Sequence, residues 1–398
     1  MGLYFDGWQE RLETLLAQID SEKHISDVNR KFVHQYVDFM KSRGLNGRTI
    51  LKNVYSFKIF LNRTPEDIGN MDKLDMERAI AKVESTEYSL RTKQNVKIAV
   101  KSFYKHFFGE DEYYPKEVRW IKTKAKEKPM LPEDILSEEE VLKMIETADN
   151  PRDKAIVALL FDSGVRVGEL MTLRVKDVNL ETDPGHIIVN GKTGMRKIPI
   201  RFSAPYIAYY LTYMKGKAPG SPLWLNVGQN SDKNASPDYW AFRAMLKRLG
   251  VQAKIKKRIY PHLFRHSRAS YYANKLTEQQ LKMFFGWTGG SDMAATYVHL
   301  SGRDIDNAVL RADGAKRAQE EVKPKLTVKI CERCRLTNTT DSTYCRGCAA
   351  PLDIKTAMEA QEQAKSVKEA VQEAFKDPKM MEDIVHAYLM MQREKGKK

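Results

Sequence analysis

Cysteine is scarce in this chain: four residues in 398, all between Cys331 and Cys348. That distribution excludes a disulfide framework spread through a secreted fold and points to a single metal site. Long apolar runs are missing as well. None approaches a membrane span, and Met1-Gly2-Leu3-Tyr4-Phe5-Asp6 lacks the basic, apolar, small-residue pattern of a signal. The expectation is a cytoplasmic protein with no membrane partner. Negative charge is in deficit: 52 Asp+Glu face 67 Lys+Arg, giving a formal net charge of +15 and a pI near 9.4. Residues 353–398 hold nine Lys/Arg against nine Asp/Glu, so the excess lies upstream. A surplus of this size favours a polyanionic partner, most simply DNA or RNA.

What the chain does have is helical periodicity. Residues 1 to about 20 form an amphipathic lead-in with Trp8, Leu12, Leu15, Leu16 and Ile19. Beyond it the spacing predicts helices over 27–42, 49–61, 73–83 and 89–108, broken at Gly44, Gly47 and Thr64-Pro65. In the last helix Lys93, Lys97, Lys101 and Lys105 recur every four residues, and Val96, Val100, Phe103 and Phe107 supply an apolar face. Like charges at that spacing weakly destabilise a helix, so the ladder is either a solvated face or a surface for a polyanion. Lys122, Lys124, Lys126 and Lys128 then alternate up to Pro129, the composition of a charged linker.

A second block opens at Ser137 and Glu140, a capping box before an apolar run. The stretch AIVALLFDSGVRVGELMTLRVKDV reads as a buried helix, a Ser163-Gly164 break and a second helix. Arg166 and Glu169 stand three apart after that turn; in isolation they make an ordinary helix ion pair. Residues 186–189 and 196–200 alternate like strands around Asn190-Gly191-Lys192-Thr193-Gly194, a hairpin signal, and no carboxylate cluster suited to two-metal chemistry accompanies them. Residues 203–250 read as helix, polar loop and helix, without candidate chemistry.

The most informative stretch covers 260–299, YPHLFRHSRASYYANKLTEQQLKMFFGWTGGSDMAATYVH. His262 and Arg265 are neighbours on one helical face. A helix over 278–285 is capped at Thr277 and stopped near Gly286; Trp287, a Gly289-Gly290 turn and a Ser291-capped segment reaching Tyr297 follow. A tyrosine that attacks phosphorus needs cationic donors around the phosphate and a proton carrier beside it.

These motifs resemble the tyrosine recombinase family, the phage integrases and Xer-type resolvases. That family's pattern runs H-x-L-R-H, then L-G-H or L-G-W, then Y-x-H; this chain has HLFRH, FGW and YVH in that order, with Phe264 and Phe285 where leucine is usual. Upstream, S-G-V-R-V-G-E-L matches T-G-x-R-x-x-E-L, and Gly191-Lys192 with Arg196 matches G-K-x-x-x-R. The resemblance implies a mainly α fold with a small β-hairpin or sheet in the catalytic domain. It also implies a helical core-binding, DNA-clamping domain over 1–120, a linker over 121–135 and a catalytic domain over 136–312. By resemblance Tyr297 is the nucleophile, leaving a 3′-phosphotyrosyl link. Arg166 and Arg265 hold the non-bridging oxygens, and Glu169 orients Arg166. Lys192 protonates the leaving 5′ oxygen, His262 handles the nucleophile's proton, and the Trp287 indole N–H donates to phosphate. Neither ATP nor a catalytic metal is required. Lys93, Lys97, Lys101, Lys105, Lys122 and Lys124 become contacts to the DNA backbone, which position a duplex without reading it. The implied partner is a double-stranded recombination site on which the protein assembles as a tetramer, placing it with the DNA of the nucleoid.

Cys331-x2-Cys334, ten residues, then Cys345-x2-Cys348 is the spacing of a compact zinc ribbon over 325–352, with structural Zn2+ held by four thiolates. A rubredoxin-like iron centre is the alternative. Arg333, Arg335 and Arg346 crowd the site. A helical tail over 353–398 carries Ala360, Ala364, Val367, Val371 and Ala374, breaks at Asp377-Pro378, and continues through Met381, Ile384, Tyr388 and Met391. It packs on its own domain or on a neighbouring subunit. Recombinases with an appended ribbon resemble those of archaeal viruses and plasmids, so integration and excision of a mobile element is the expected function. Xer-type dimer resolution is the alternative, as is, from another class, DNA binding without catalysis.

Overall fold

The computed structural model describes residues 7–64, 67–110, 113–123, 132–191, 193–228, 232–273, 275–300 and 326–374, with a few isolated positions beyond. It divides into two compact units, Met1–Pro129 and Met130–Lys398.

In the first unit five helices form one bundle: α1 Trp8–Ser21, α2 Asp27–Ser42, α3 Gly47–Leu61, α4 Lys73–Glu84 and α5 Leu90–Phe108, followed by a single turn, α6 Lys116–Arg119. Their starts are set locally. Ser26, Asn46, Asp72 and Ser89 each accept a backbone N–H of the first turn, which satisfies a donor the helix itself cannot. The core is aromatic: Tyr36, Phe57, Phe60, Phe103 and Tyr104 are buried, and Phe57 stacks on Phe103 with ring centres 4.4 Å apart.

The second unit is organised around α8 Pro151–Ser163, whose residues are buried from Ala155 to its end. Around it pack α7 Glu138–Glu146, α10 Ala204–Leu211 and α12 Pro261–Ala273. A helix without a polar face is stable only when enclosed, as here. Its deep charges are met: Asp153 pairs with Arg152 at 2.6 Å, and Asp162 accepts from the backbone N–H of Arg201 and Ser203 and from Arg268 of α12 at 2.9 Å. After the short α9 Val167–Met171 comes a three-stranded antiparallel sheet of β1 Val178–Asn179, β2 Gly185–Gly191 and β3 Gly194–Ile200. Its register pairs Ile187 with Ile198 and Gly191 with Gly194, and Ile187, Val189, Ile198 and Ile200 turn inward. The third strand was not apparent from the sequence. Then follow α11 Tyr239–Gln252, α13 Glu278–Phe285 and α14 Met293–Leu300. Thr277 and Gln280 box the start of α13, and left-handed Gly286 ends it.

Two further strands, β4 Lys329–Ile330 and β5 Thr337–Asn338, bracket Cys331 and Cys334, Cys345 and Cys348 come after β5, and α15 Ile354–Ala374 follows. The cysteine module leans on the helices of this unit: Asp341 accepts from Lys154 of α8 at 3.0 Å, and the Leu326 N–H donates to Glu138 of α7 at 3.2 Å.

Candidate active site

The α8 helix ends in left-handed Gly164, and the chain turns directly into Arg166, the residue that precedes α9. Glu169, one turn on, accepts both from the Arg166 backbone N–H (2.9 Å) and from its guanidinium Nη1 (2.9 Å). Arg196 of β3 closes on the same carboxylate with two parallel bonds, Nη1 to Oε1 at 2.8 Å and Nη2 to Oε2 at 2.7 Å. Such fork-to-fork pairing fixes orientation as well as charge. Two glycines make room for it. A Cβ at Gly191 would fall onto Glu169 Oε1, and one at Gly286 (φ +59°) would lie 2.8 Å from Arg196 Nη1. Burial alone would raise the Glu169 carboxyl, but the hydrogen bonds and charges of Arg196 and Arg166 outweigh it and hold it at about 2.

Arg265 rises from α12 into the same place, only 6% exposed. It donates to the Gly164 carbonyl at 2.8 Å and to the Phe285 carbonyl at 2.5 Å, and lies over the Phe285 and Trp287 rings. Burial, and next the Arg166 charge, lower the proton affinity of its guanidinium. Arg166 reaches across as well, donating to the Gly286 carbonyl at 3.1 Å. Two guanidiniums thus pair with one carboxylate, and Arg265, bonded to carbonyls, stands close enough to feel both; the three arginines and Glu169 together leave a formal charge of +2.

Tyr297, on α14, is 4% exposed and packs among Ala269, Ala273, Leu281 and Phe285. Trp287 stacks on it, ring centres 5.6 Å apart and planes within 3°. Loss of hydration pushes the Tyr297 phenol up to about 12, while Arg265 pulls it the other way. The imidazole at its hydroxyl is that of His266, through Nδ1. His262, the sequence-based candidate for that contact, stands a turn earlier with its ring centre 6.4 Å from that of His266. It keeps solvent contact, yet loss of hydration, followed by the Arg265 and Arg166 charges, holds it below the ordinary histidine range.

Arg166, Glu169, His262, Arg265, Trp287 and Tyr297 are therefore brought to one place. Lys192 lies outside the described residues; its neighbour Thr193 donates to the Gly286 carbonyl at 3.3 Å, which Arg166 also meets. Two participants went unassigned in the sequence although their motifs contain them: Arg196, which closes G-K-x-x-x-R, and His266, the last residue of HLFRH. The lysine ladder of α5 is largely committed elsewhere. Lys93 donates to the Glu84 carbonyl, Lys97 pairs with the Glu84 carboxylate at 2.7 Å, and Lys101 donates to the Ile121 carbonyl at 3.0 Å. Lys101 and Lys105 both lie over the Tyr114 ring. Lys122 is exposed, and Lys124 lies outside the described residues.

The four cysteines converge, with all Sγ atoms within 4.8 Å of one another. The closest pairs are Cys331–Cys348 at 3.6 Å and Cys334–Cys345 at 3.5 Å. Thiolates at about 2.3 Å from one tetrahedral ion would stand about 3.8 Å apart, so the set fits such an ion. Both knuckles have one backbone shape: Arg335 N–H returns to the Cys331 carbonyl and Ala349 N–H to that of Cys345, each residue at positive φ.

Residues 134–303 match the phage integrase family. The chain is 30% identical over 249 residues to tyrosine recombinase XerA of Pyrococcus horikoshii, covering 61% of this chain and 80% of that protein. This chain is a member of the tyrosine recombinase family. The recombinase is also 27% identical over 295 residues to XerD of Staphylococcus aureus, covering 69% of this chain and 95% of that one. Its fold is that of the Tn1549 transposon integrase in complex with transposon right end DNA (TM-score 0.56, 19% identity, 71% of this chain and 98% of that one). A lambda integrase dimer bound to a COC′ core site shares it too (TM-score 0.54, 14% identity, 69% and 96%). The recombinase is accordingly an enzyme of site-specific recombination, which cuts and rejoins DNA.

Proposed function

We propose that the recombinase integrates and excises a mobile element through a 3′-phosphotyrosyl intermediate on Tyr297. The observation that carries this is the cluster of Arg166, Arg196 and Arg265 around one carboxylate beside the Tyr297–Trp287 stack. Its excess charge of +2 is what a phosphodiester lacks as it becomes the doubly charged, five-coordinate transition state. Arg166 and Arg265 take the non-bridging oxygens. Arg196 and Glu169 hold Arg166 in place. His262 and the Trp287 indole N–H add donors at the rim, and Lys192 protonates the departing 5′ oxygen. The phosphotyrosyl link conserves the bond energy, so rejoining is the reverse of the same steps.

Residues 1–120 serve as a DNA-clamping domain, 121–135 as the linker, and 136–312 as the catalytic domain. The cysteine module, 325–352, holds a structural Zn2+ through Cys331, Cys334, Cys345 and Cys348; the bound ion ties its two knuckles together. The tail from 353 onward contributes to assembly of a tetramer on DNA. One observation favours a second reading, resolution of replicon dimers: the XerA and XerD relatives match over 80% and 95% of their lengths. The ribbon and tail beyond the matched residues favour the mobile-element reading.

Covalent trapping in EDTA on nicked duplexes, tiled across the replicon that carries the coding sequence, tests the reading. A denaturation-resistant adduct from the wild type, and none from Tyr297→Phe, is the expected result. Adducts from both would reject Tyr297. Binding without any adduct would move DNA binding without catalysis ahead. An attachment site at the junction of an integrated element, rather than at a dimer-resolution site, separates the two recombinase readings.

A further inference from the structure

We propose that Asp162 and Arg268 are positioning residues, a buried clamp that aims the three arginines at the phosphate. The inference rests on the roles given above to Tyr297 and the arginines. Arg166 stands four residues after Asp162, just past the end of α8. Arg196 is on β3, which ends one residue before Arg201, and Arg265 is one turn before Arg268 on α12. These three elements meet at the Asp162 carboxylate, on a residue only 2% exposed. Its Oδ2 accepts from the backbone N–H of Arg201 at 2.8 Å and of Ser203 at 2.9 Å, and from the Ser203 hydroxyl at 2.9 Å. Its Oδ1 accepts from Arg268 Nη2 at 2.9 Å. One oxygen thus holds the exit of β3 and the other holds α12.

Arg268 makes a second bond to the same turn. Its Nε donates to the Asp162 carbonyl at 2.9 Å, and two residues on, the Gly164 carbonyl receives Arg265 at 2.8 Å. Two arginines one turn apart on α12 therefore grip the last turn of α8. The Arg268 guanidinium is itself fixed: it lies over the Phe161, Tyr271 and Tyr272 rings and donates to the Tyr272 hydroxyl at 2.7 Å. A pair this deep is a weak source of stability, because desolvation offsets the attraction; what it supplies is fixed geometry. Only a carboxylate suits the site. Asparagine offers one oxygen and one NH2 group, so whichever way it turned, a donor would face donors on β3's exit or on α12.

The link to chemistry runs through placement. A shift at the exit of β3 carries Arg196, and with it the Glu169 carboxylate that holds Arg166. A shift of α12 against α8 carries Arg265 away from the Gly164 carbonyl. Either one spoils the common aim of Arg166 and Arg265 on the non-bridging oxygens. A misplacement of about 1 Å costs about 100-fold in rate even when it starts away from the reacting atoms. Among the described residues, neither Asp162 nor Arg268 bonds to those arginines or to Tyr297.

Single-turnover cleavage of two nicked duplexes by the full chain, below the melting temperature of every variant, tests this. One duplex has an ordinary scissile phosphate. The other has a methylphosphonate there, whose methyl group replaces a non-bridging oxygen and removes one negative charge from the transition state. Asp162→Asn should cleave the ordinary duplex about 100-fold more slowly than wild type, with unchanged DNA affinity. On the methylphosphonate its deficit should shrink to about tenfold or less, because the aim of the arginines counts for less there. The double variant Asp162→Asn, Arg268→Gln should lose no more than the worse single variant, since both break one clamp. That double variant leaves no buried charge unpaired, and it carries the comparison if Asp162→Asn alone does not fold. A rate within about threefold of wild type on the ordinary duplex would overturn the proposal. Equal deficits on the two duplexes would do so too, because a general loosening of the fold does not sense phosphate charge. Multiplying losses in the double variant would also reject it. Arg166→Ala with equal deficits on both duplexes would instead strike the phosphate role of the arginines, not the clamp.

Discussion

Glu169→Gln keeps the shape of the side chain that Arg166 and Arg196 grip and removes its charge. In the folded protein this carboxyl sits at about 2 against an ordinary 4.5, because Arg196 and Arg166 overcome the opposing effect of burial. A difference of that size corresponds to about 3 kcal/mol. The side chain is 4% exposed, so solvent screens little of it. The group is an acid with a depressed value, so its contribution is present in full above the unfolded value. It is lost as pH falls from there towards the folded one. Calorimetry of the full chain at pH 7 should find the transition of the second unit lowered by about 6–12 °C. By pH 3 the gap should have shrunk to about half or less. Cleavage should fall about 100-fold, because Arg166 loses the carboxylate that aims it at phosphate. A variant melting within about 1 °C of wild type at pH 7 would refute the reasoning. A gap unchanged down to pH 3 would do the same.

Gly191→Ala places a methyl group on Glu169 Oε1, and should cost about 1–3 kcal/mol with a parallel loss of cleavage. An intact cleavage rate in that variant would mean the hairpin end can shift without disturbing the arginines. Metal analysis should find one Zn2+ per chain, lost in Cys334→Ser. Chelation should loosen the module that Lys154 and Asp341 tie to α8, read as faster amide exchange in β4 and β5, while adduct formation on Tyr297 continues. Lys101→Ala should destabilise the first unit by about 1 kcal/mol, because its ammonium holds the Arg119 and Ile121 carbonyls. If Lys101 instead contacts phosphate, the salt dependence of DNA binding drops by about one ion in that variant.

Much of this protein could be read from residue order. Helix α13 begins at Thr277 and ends at Gly286 because capping depends on side chains within a few positions, and the same holds for α2 after Ser26. The cysteine knuckles and the order of HLFRH, FGW and YVH are likewise local signals, and they sufficed for the family and for six of the groups at the site. Partner choice was not legible. Lys93, Lys97 and Lys101 form a regular stripe in the sequence, but how α4 and α6 approach α5 decides that their ammonium groups meet Glu84, Ile121 and Arg119.

The same limit applies at the catalytic cluster. Sequence determined which residue types are available and on which helix, strand or turn each stands, because those depend on short-range capping and periodicity. Only the packing of β3 and α12 on α8, of α9 on β2 and of α14 on α12 decided that Arg196, 27 positions away, would fork onto Glu169, and that Tyr297 would rest on His266 rather than His262. A hydrogen bond needs its atoms placed to within a few tenths of an ångström. That placement is set jointly by every contact of the surrounding core, and no single stretch of the chain contains it.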